Sequence, residues 1–104
     1  MEALALFMSV VEKEEFVEGH EVLEEQWREW KNDADKREES FILKGLINGS
    51  TALALYRLGR KEGGARVWET FEKYRPLIHT LGSCHTPLYQ KAADLLDKKY
   101  KEIV

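Results

Sequence analysis

The chain has a single cysteine, two prolines, no long apolar run and no basic block, and each shortage closes off a class of protein. Cys84 alone cannot form an intrachain disulfide, so packing has to hold the fold, and the sequence suits a reducing compartment. Two prolines leave long stretches free to be helical. Strand-like alternation of apolar and polar residues is nowhere sustained. No apolar run approaches the roughly 18 residues of a bilayer crossing, and the start Met1-Glu2-Ala3-Leu4 is acidic where a secretory leader is basic. The formal net charge is −3 with both signs interspersed, which disfavours binding driven by nucleic-acid phosphates. The glycine-rich stretch Gly59 to Gly64 lacks the preceding strand and the Lys-Ser/Thr of a phosphate loop, and dinucleotide fingerprints are absent. These shortages predict a cytoplasmic protein with no cofactor, no nucleic acid and no membrane among its partners.

What is present points to helices. Hydrophobic residues make up 43% of the 104, enough for one core, and a chain this long fits one domain over residues 1–104. The spacing predicts a compact all-α bundle of about five helices. A first helix over 2–12 carries Leu4, Leu6, Phe7, Val10 and Val11, and the acidic run Glu12 to Glu15 holds a turn where the apolar phase changes. A second helix over about 14–31 has the clearest period: Phe16, His20, Leu23, Trp27 and Trp30 fall on one stripe at about 100° per residue. That phase predicts a buried His20, hydrogen-bonded to Glu24 or Asn48, and a core Trp27 whose loss costs about 3–5 kcal/mol.

Asn32 to Asp35 reads as a loop in which Asp33 or Asp35 caps the next helix. The third helix, about 36–58, is apolar nearly all round and is therefore central, packed on several sides. Gly45, Gly49 and Ala52 share one of its faces, which predicts close approach of a neighbouring helix, since an interior glycine otherwise costs about 1 kcal/mol relative to alanine. Gly59 to Gly64 is a stop and turn. A fourth helix over about 64–81 is broken by Pro76. Thr86-Pro87 opens the last helix as N-cap and first helical residue.

The segment from Phe16 through Gly19-His20-Glu21 to Glu24 and Trp27 resembles the hallmark of the domain of unknown function 309 family. That pattern is an aromatic, then Ala-His-Glu, an aliphatic or Trp, a Glu and a Trp. Lys44-Gly45-Leu46-Ile47-Asn48 is similar to the family's Gln-Gly-Leu-Ile-Gln block, and Gly59 through Gly64-Ala65 to its glycine helix end. The resemblance covers roughly residues 4 to 80. It implies an all-α fold with His20, Glu21, Glu24 and Trp27 near the central helix, and no established activity. Gly19 stands for the hallmark Ala, and Lys44 and Asn48 for the two Gln.

Six residues are therefore the candidate site: His20, Glu21, Glu24, Trp27, Lys44 and Asn48. His20 and Glu24, four apart, meet on one helix face and suit a metal or a proton transfer. Glu21 points away from them, which weighs against the zinc-protease arrangement that His-Glu evokes. The expected function is binding of a protein partner or small ligand beside His20 and Glu24. The competing reading is a metal-dependent or acid–base enzyme using the same pair, with Asn48 orienting substrate. His79, Cys84 and His85 have no standard metal spacing and read as incidental. The Ala54-to-Pro76 region has a weak tetratricopeptide flavour, too short for a solenoid. The third helix, together with the Leu4, Phe7, Val11 face of the first helix and the Tyr89, Leu96, Tyr100 face of the last, carries more apolar surface than a monomer usually leaves bare. That surface predicts a symmetric homodimer with one terminal helix at the interface.

Overall fold

Where the apolar phase of the sequence changes, the backbone turns. The computed structural model describes residues 1–104 and contains helices and no strands. They are α1 (Glu2–Glu12), α2 (Phe16–Lys31), α3 (Arg37–Arg57), α4 (Lys61–Tyr74), the single-turn α5 (Leu77–Thr80) and α6 (Thr86–Ile103). The fold is thus five long helices and one turn of a sixth. No helix is long and apolar enough to cross a membrane.

One core of 18 buried residues joins them. In α1, Leu4, Phe7 and Val11 are fully buried, the i, i+3, i+7 face of a helix. Helix α3 lies at the centre, with α2, α4 and α6 packed around it and α1 seated between α2 and α6. Its glycines mark the close approaches. A Cβ at Gly49 would come within 2.8 Å of the Leu96 side chain on α6 and 3.3 Å of the Phe71 ring on α4. The α4–α6 seam is aromatic: Trp68 stacks on Tyr100 with centroids 4.3 Å apart and meets Phe71 edge-on at 4.8 Å, the preferred arrangements of such rings.

Three turns depart from the sequence expectation. Helix α4 begins at Lys61, not near Gly64, because Gly59 alone makes the turn. It adopts a left-handed φ of +79°, and the Arg60 N–H returns to the Leu55 carbonyl at 2.9 Å, which closes the end of α3. Gly64 then lies inside α4 against the Tyr56 ring. Asp33 and Asp35 do not cap α3. Asp33 instead accepts the Asp35 N–H at 2.9 Å, and Lys36 occupies the cap position without a side-chain bond. Thr86 sits within α6 rather than capping it, and its hydroxyl donates to the Ile78 carbonyl at 3.2 Å. Pro76 breaks the helix between Tyr74 and Leu77 as its missing N–H requires.

The acidic turn between α1 and α2 has a specific architecture. Glu14 adopts a left-handed φ of +63°, unfavourable for a side-chain-bearing residue. Its carboxylate receives the Lys99 ammonium of α6 at 3.0 Å and pairs with Arg57 at the end of α3. The Lys99 hydrogen bond, ahead of the Arg57 charge, holds the Glu14 carboxyl below the usual carboxylate range, and Glu14 in turn raises Lys99. One carboxylate thereby ties three elements together.

Candidate functional site

Helix α2 buries Phe16, Gly19 and Leu23. At 100° per residue, Gly19 lies on the opposite side of the Phe16–Leu23 line from His20. The contact face is thus rotated from the apolar stripe of the sequence, and it is rotated by a glycine. A Cβ at Gly19 would overlap the Ser50 hydroxyl of α3. Without one, that hydroxyl reaches in to donate to the Phe16 carbonyl at 2.6 Å. The rotation moves His20 and Trp27 from the centre of the interface to its solvent edge, beside Glu24. His20 is accordingly not buried: its side chain is 40% exposed and that of Glu24 31%. Trp27 and Trp30 are half-buried against the core, and of the three tryptophans only Trp68 is buried.

The edge is a cleft of about 180 Å³ between α2 and α3, lined by His20, Glu24, Trp27, Lys44, Asn48 and Thr51, with Ile47 at its floor. Five of the six candidate residues meet there. Glu21 does not, and lines an adjoining hollow with Val17 and Ala54. The Trp27 ring carries the Lys31 ammonium 4.3 Å from its centroid. Lys44 reaches towards the Tyr74 ring, with Nζ 5.8 Å from its centroid. Asn48 donates from Nδ2 to the Lys44 carbonyl at 2.8 Å, which leaves its carboxamide oxygen for an occupant of the cleft.

The Thr51 hydroxyl orients the imidazole. The Thr51 hydroxyl, one turn after Ile47, donates its single proton to the Ile47 carbonyl at 3.0 Å. It can then only accept from His20 Nδ1, 2.8 Å away. With Nδ1 the donor, Nε2 of a neutral ring carries a lone pair, and it lies 3.4 Å from Glu24 Oε2. Two acceptors facing each other call for something positive: a proton on Nε2 between them, or a donor that bridges both from the open side of the cleft. The other oxygen of Glu24 is already bonded to Arg28 at 2.6 Å. The partner of His20 Nδ1 is therefore Thr51, where the sequence suggested Glu24 or Asn48; Glu24 faces the other nitrogen.

Sequence reasoning missed Thr51, although Lys44, Asn48 and Thr51 recur at i, i+4, i+7 as a polar stripe on an otherwise apolar helix. It also missed a buried polar cluster at the opposite end of α3. Glu39 accepts from the Tyr89 hydroxyl at 2.8 Å and from Ser83 at 2.5 Å. Burial, followed by the adjacent Glu39 carboxylate, pushes the Tyr89 phenol well above its ordinary range. No group of three His, Cys, Asp or Glu side chains is placed to hold a metal ion. His79 and Cys84 are exposed and apart from the cleft, and His85 packs edge-on to Tyr89.

Comparison with known families matches residues 4–67 to a domain of unknown function (DUF309). The match spans more than half of the chain, which therefore belongs to this family. No curated protein and no solved structure matches it.

Proposed function

We propose that this domain is a binding module whose α2–α3 cleft takes a small cationic hydrogen-bond donor, a primary ammonium or a guanidinium, presented by a ligand or by a partner's side chain. The observation that carries the reading is the opposed pair His20 Nε2 and Glu24 Oε2, 3.4 Å apart, with the imidazole oriented by Thr51. An N–H donor lodged there satisfies both acceptors, and Asn48 offers a third. The cleft, about 180 Å³, has room for an alkylammonium or a guanidinium head. Trp27 supplies an apolar wall to the cleft.

Titration of the isotope-labelled protein with methylguanidinium tests the reading. The His20 ring resonances and the amides around Asn48 and Thr51 are expected to shift saturably, and uncharged methylurea is expected to leave them in place. Glu24→Gln keeps the shape, removes the charge, and should weaken the binding at least tenfold. Equal responses to methylguanidinium and methylurea, or shifts confined to other parts of the molecule, would remove the proposal.

A further inference from the structure

The cleft does not end at His20. Val17, His20, Glu21, Thr51 and Ala54 bound a second hollow of about 270 Å³, which shares His20 and Thr51 with the cleft. A third, of about 240 Å³, continues past Val17 and Ala54 to Phe16, Arg57 and Leu58. The three form one trough along the α2–α3 seam. Its α2 wall runs from Val17 to Trp27 and its α3 wall from Lys44 to Leu58, about 15 and 21 Å at 1.5 Å per residue. Three to four turns of another helix have that length.

Two further observations select the occupant. The chain exposes four large hydrophobic side chains, and two of them, Val17 at 59% and Leu58 at 70%, flank this trough. The α2 rim is acidic as well: Glu15, Glu18 and Glu21 are exposed and engage in no ion pair, whereas Glu14 and Glu24 are paired. Of the five carboxylates that border the trough, Glu14 is neutralised by Lys99 and Arg57 and Glu24 by Arg28, which leaves the charge of Glu15, Glu18 and Glu21 uncompensated. Apolar residues at the seam with unneutralised charge of one sign along the rim is the pattern that receives an amphipathic helix of opposite charge.

We infer that the α2–α3 trough docks a basic amphipathic helix of a partner protein, about three turns long. Its aliphatic residues at i, i+3 or i+4, and i+7 cover Val17, Ala54 and Leu58, and its lysines or arginines face Glu15, Glu18 and Glu21. The inference deepens the proposed function and rests on it in one respect: one cationic side chain of the helix occupies the His20–Glu24 cleft.

The probe is a 14-residue helical peptide with leucines at those spacings and lysines on the remaining face. Controls are the same peptide with glutamates for lysines and a version broken by a central proline. Expected results are amide shifts confined to residues 15–27 and 44–58, affinity for the basic peptide at least tenfold above either control, and weakening with added salt. Glu18→Lys with Glu21→Lys should cost at least a further tenfold while leaving the thermal midpoint intact, because neither carboxylate has a structural partner. If the peptide binds here and methylguanidinium does not, the trough stands and the cleft reading alone fails. Equal affinity for basic and acidic peptides, shifts mapping to α4 or α6, or the same shifts arising from self-association of the domain on concentration would each overturn the inference.

Discussion

Gly19→Ala is the substitution that most directly tests how α2 is seated. The resemblance to the family hallmark places Ala at this position, and an interior helical glycine ordinarily gains about 0.8–1 kcal/mol on becoming alanine. Here the added methyl overlaps the Ser50 hydroxyl and comes within 3.2 Å of Val11 Cγ2 and 3.3 Å of Ser50 Cβ. To admit it, the hydroxyl must leave the Phe16 carbonyl, forfeiting about 0.5–1.5 kcal/mol and stranding a buried donor. Alternatively the helices must separate, an overpacking cost of about 1–3 kcal/mol. The net expectation is a loss of about 1–3 kcal/mol despite the better helix former. Removing the obstacle removes the penalty. In a Ser50→Ala background the same substitution is expected to be neutral to within about 0.5 kcal/mol, which gives a coupling energy of about 1–3 kcal/mol for two residues in contact. Urea unfolding of the four proteins closes the cycle. Equal cost of Gly19→Ala in both backgrounds, or a gain in the parent, would refute the argument that this contact seats α2.

Other expectations follow from the same geometry. Trp27→Ala should cost about 1–3 kcal/mol in urea melts, below the ~3–5 kcal/mol of a fully buried large aromatic, because Trp27 is half-buried at the cleft. The raised Tyr89 phenol contributes stability that is fully present below the ordinary tyrosine range near pH 10 and is lost as pH rises above it. From that residue alone the unfolding free energy should fall by about 1.4 kcal/mol per pH unit, a slope that Tyr89→Phe is expected to remove. Light scattering should give a mass near 12.1 kDa; the homodimer expected from the sequence rested on apolar surface of α3 and of both terminal helices, and within the chain α2, α4 and α6 cover α3 while Leu4, Phe7, Val11, Tyr89 and Leu96 are buried. A mass twice that value would restore the dimer.

The helices were legible because each long one repeats its apolar face through several turns, as Leu4, Phe7 and Val11 do in α1 or Trp68 and Phe71 in α4. The central place of α3 followed from its being apolar nearly all round, whereas the nearness of α2 to it was what the family resemblance implied. The rotation of α2 was not legible. A glycine adds nothing to a hydrophobic stripe, so the pattern centred itself on His20 and Trp27, whereas packing centred itself on the one position without a side chain. The same blindness hid Ser50, whose small polar side chain is buried only because Gly19 faces it. Thr51 could have been found from its stripe with Lys44 and Asn48. Glu39 and Tyr89, separated by 50 residues, offer no local signal: a buried carboxylate and a distant phenol look like two surface residues until the chain is folded.

Seating and site are one arrangement in this domain. Gly19 and His20 are adjacent on α2, as Ser50 and Thr51 are on α3, so the contact that draws the helices together at Gly19–Ser50 also brings His20 Nδ1 within 2.8 Å of Thr51 Oγ1. Consecutive residues on a helix point about 100° apart; one member of each pair therefore enters the seam while the next is delivered to its edge. Where the helices separate to admit a side chain at position 19, they do so where the imidazole is oriented, and a displacement of a few tenths of an ångström lengthens the hydrogen bond between His20 and Thr51. The polar stripe Lys44, Asn48 and Thr51 is available to a ligand for the complementary reason. Helices α4 and α6 occupy the glycine face of α3, and α2, drawn in at Gly19, covers the Ser50 side. The partly exposed edge between α2 and α3 is the remaining line along which a central, nearly all-apolar helix can present polar groups to an incoming cation.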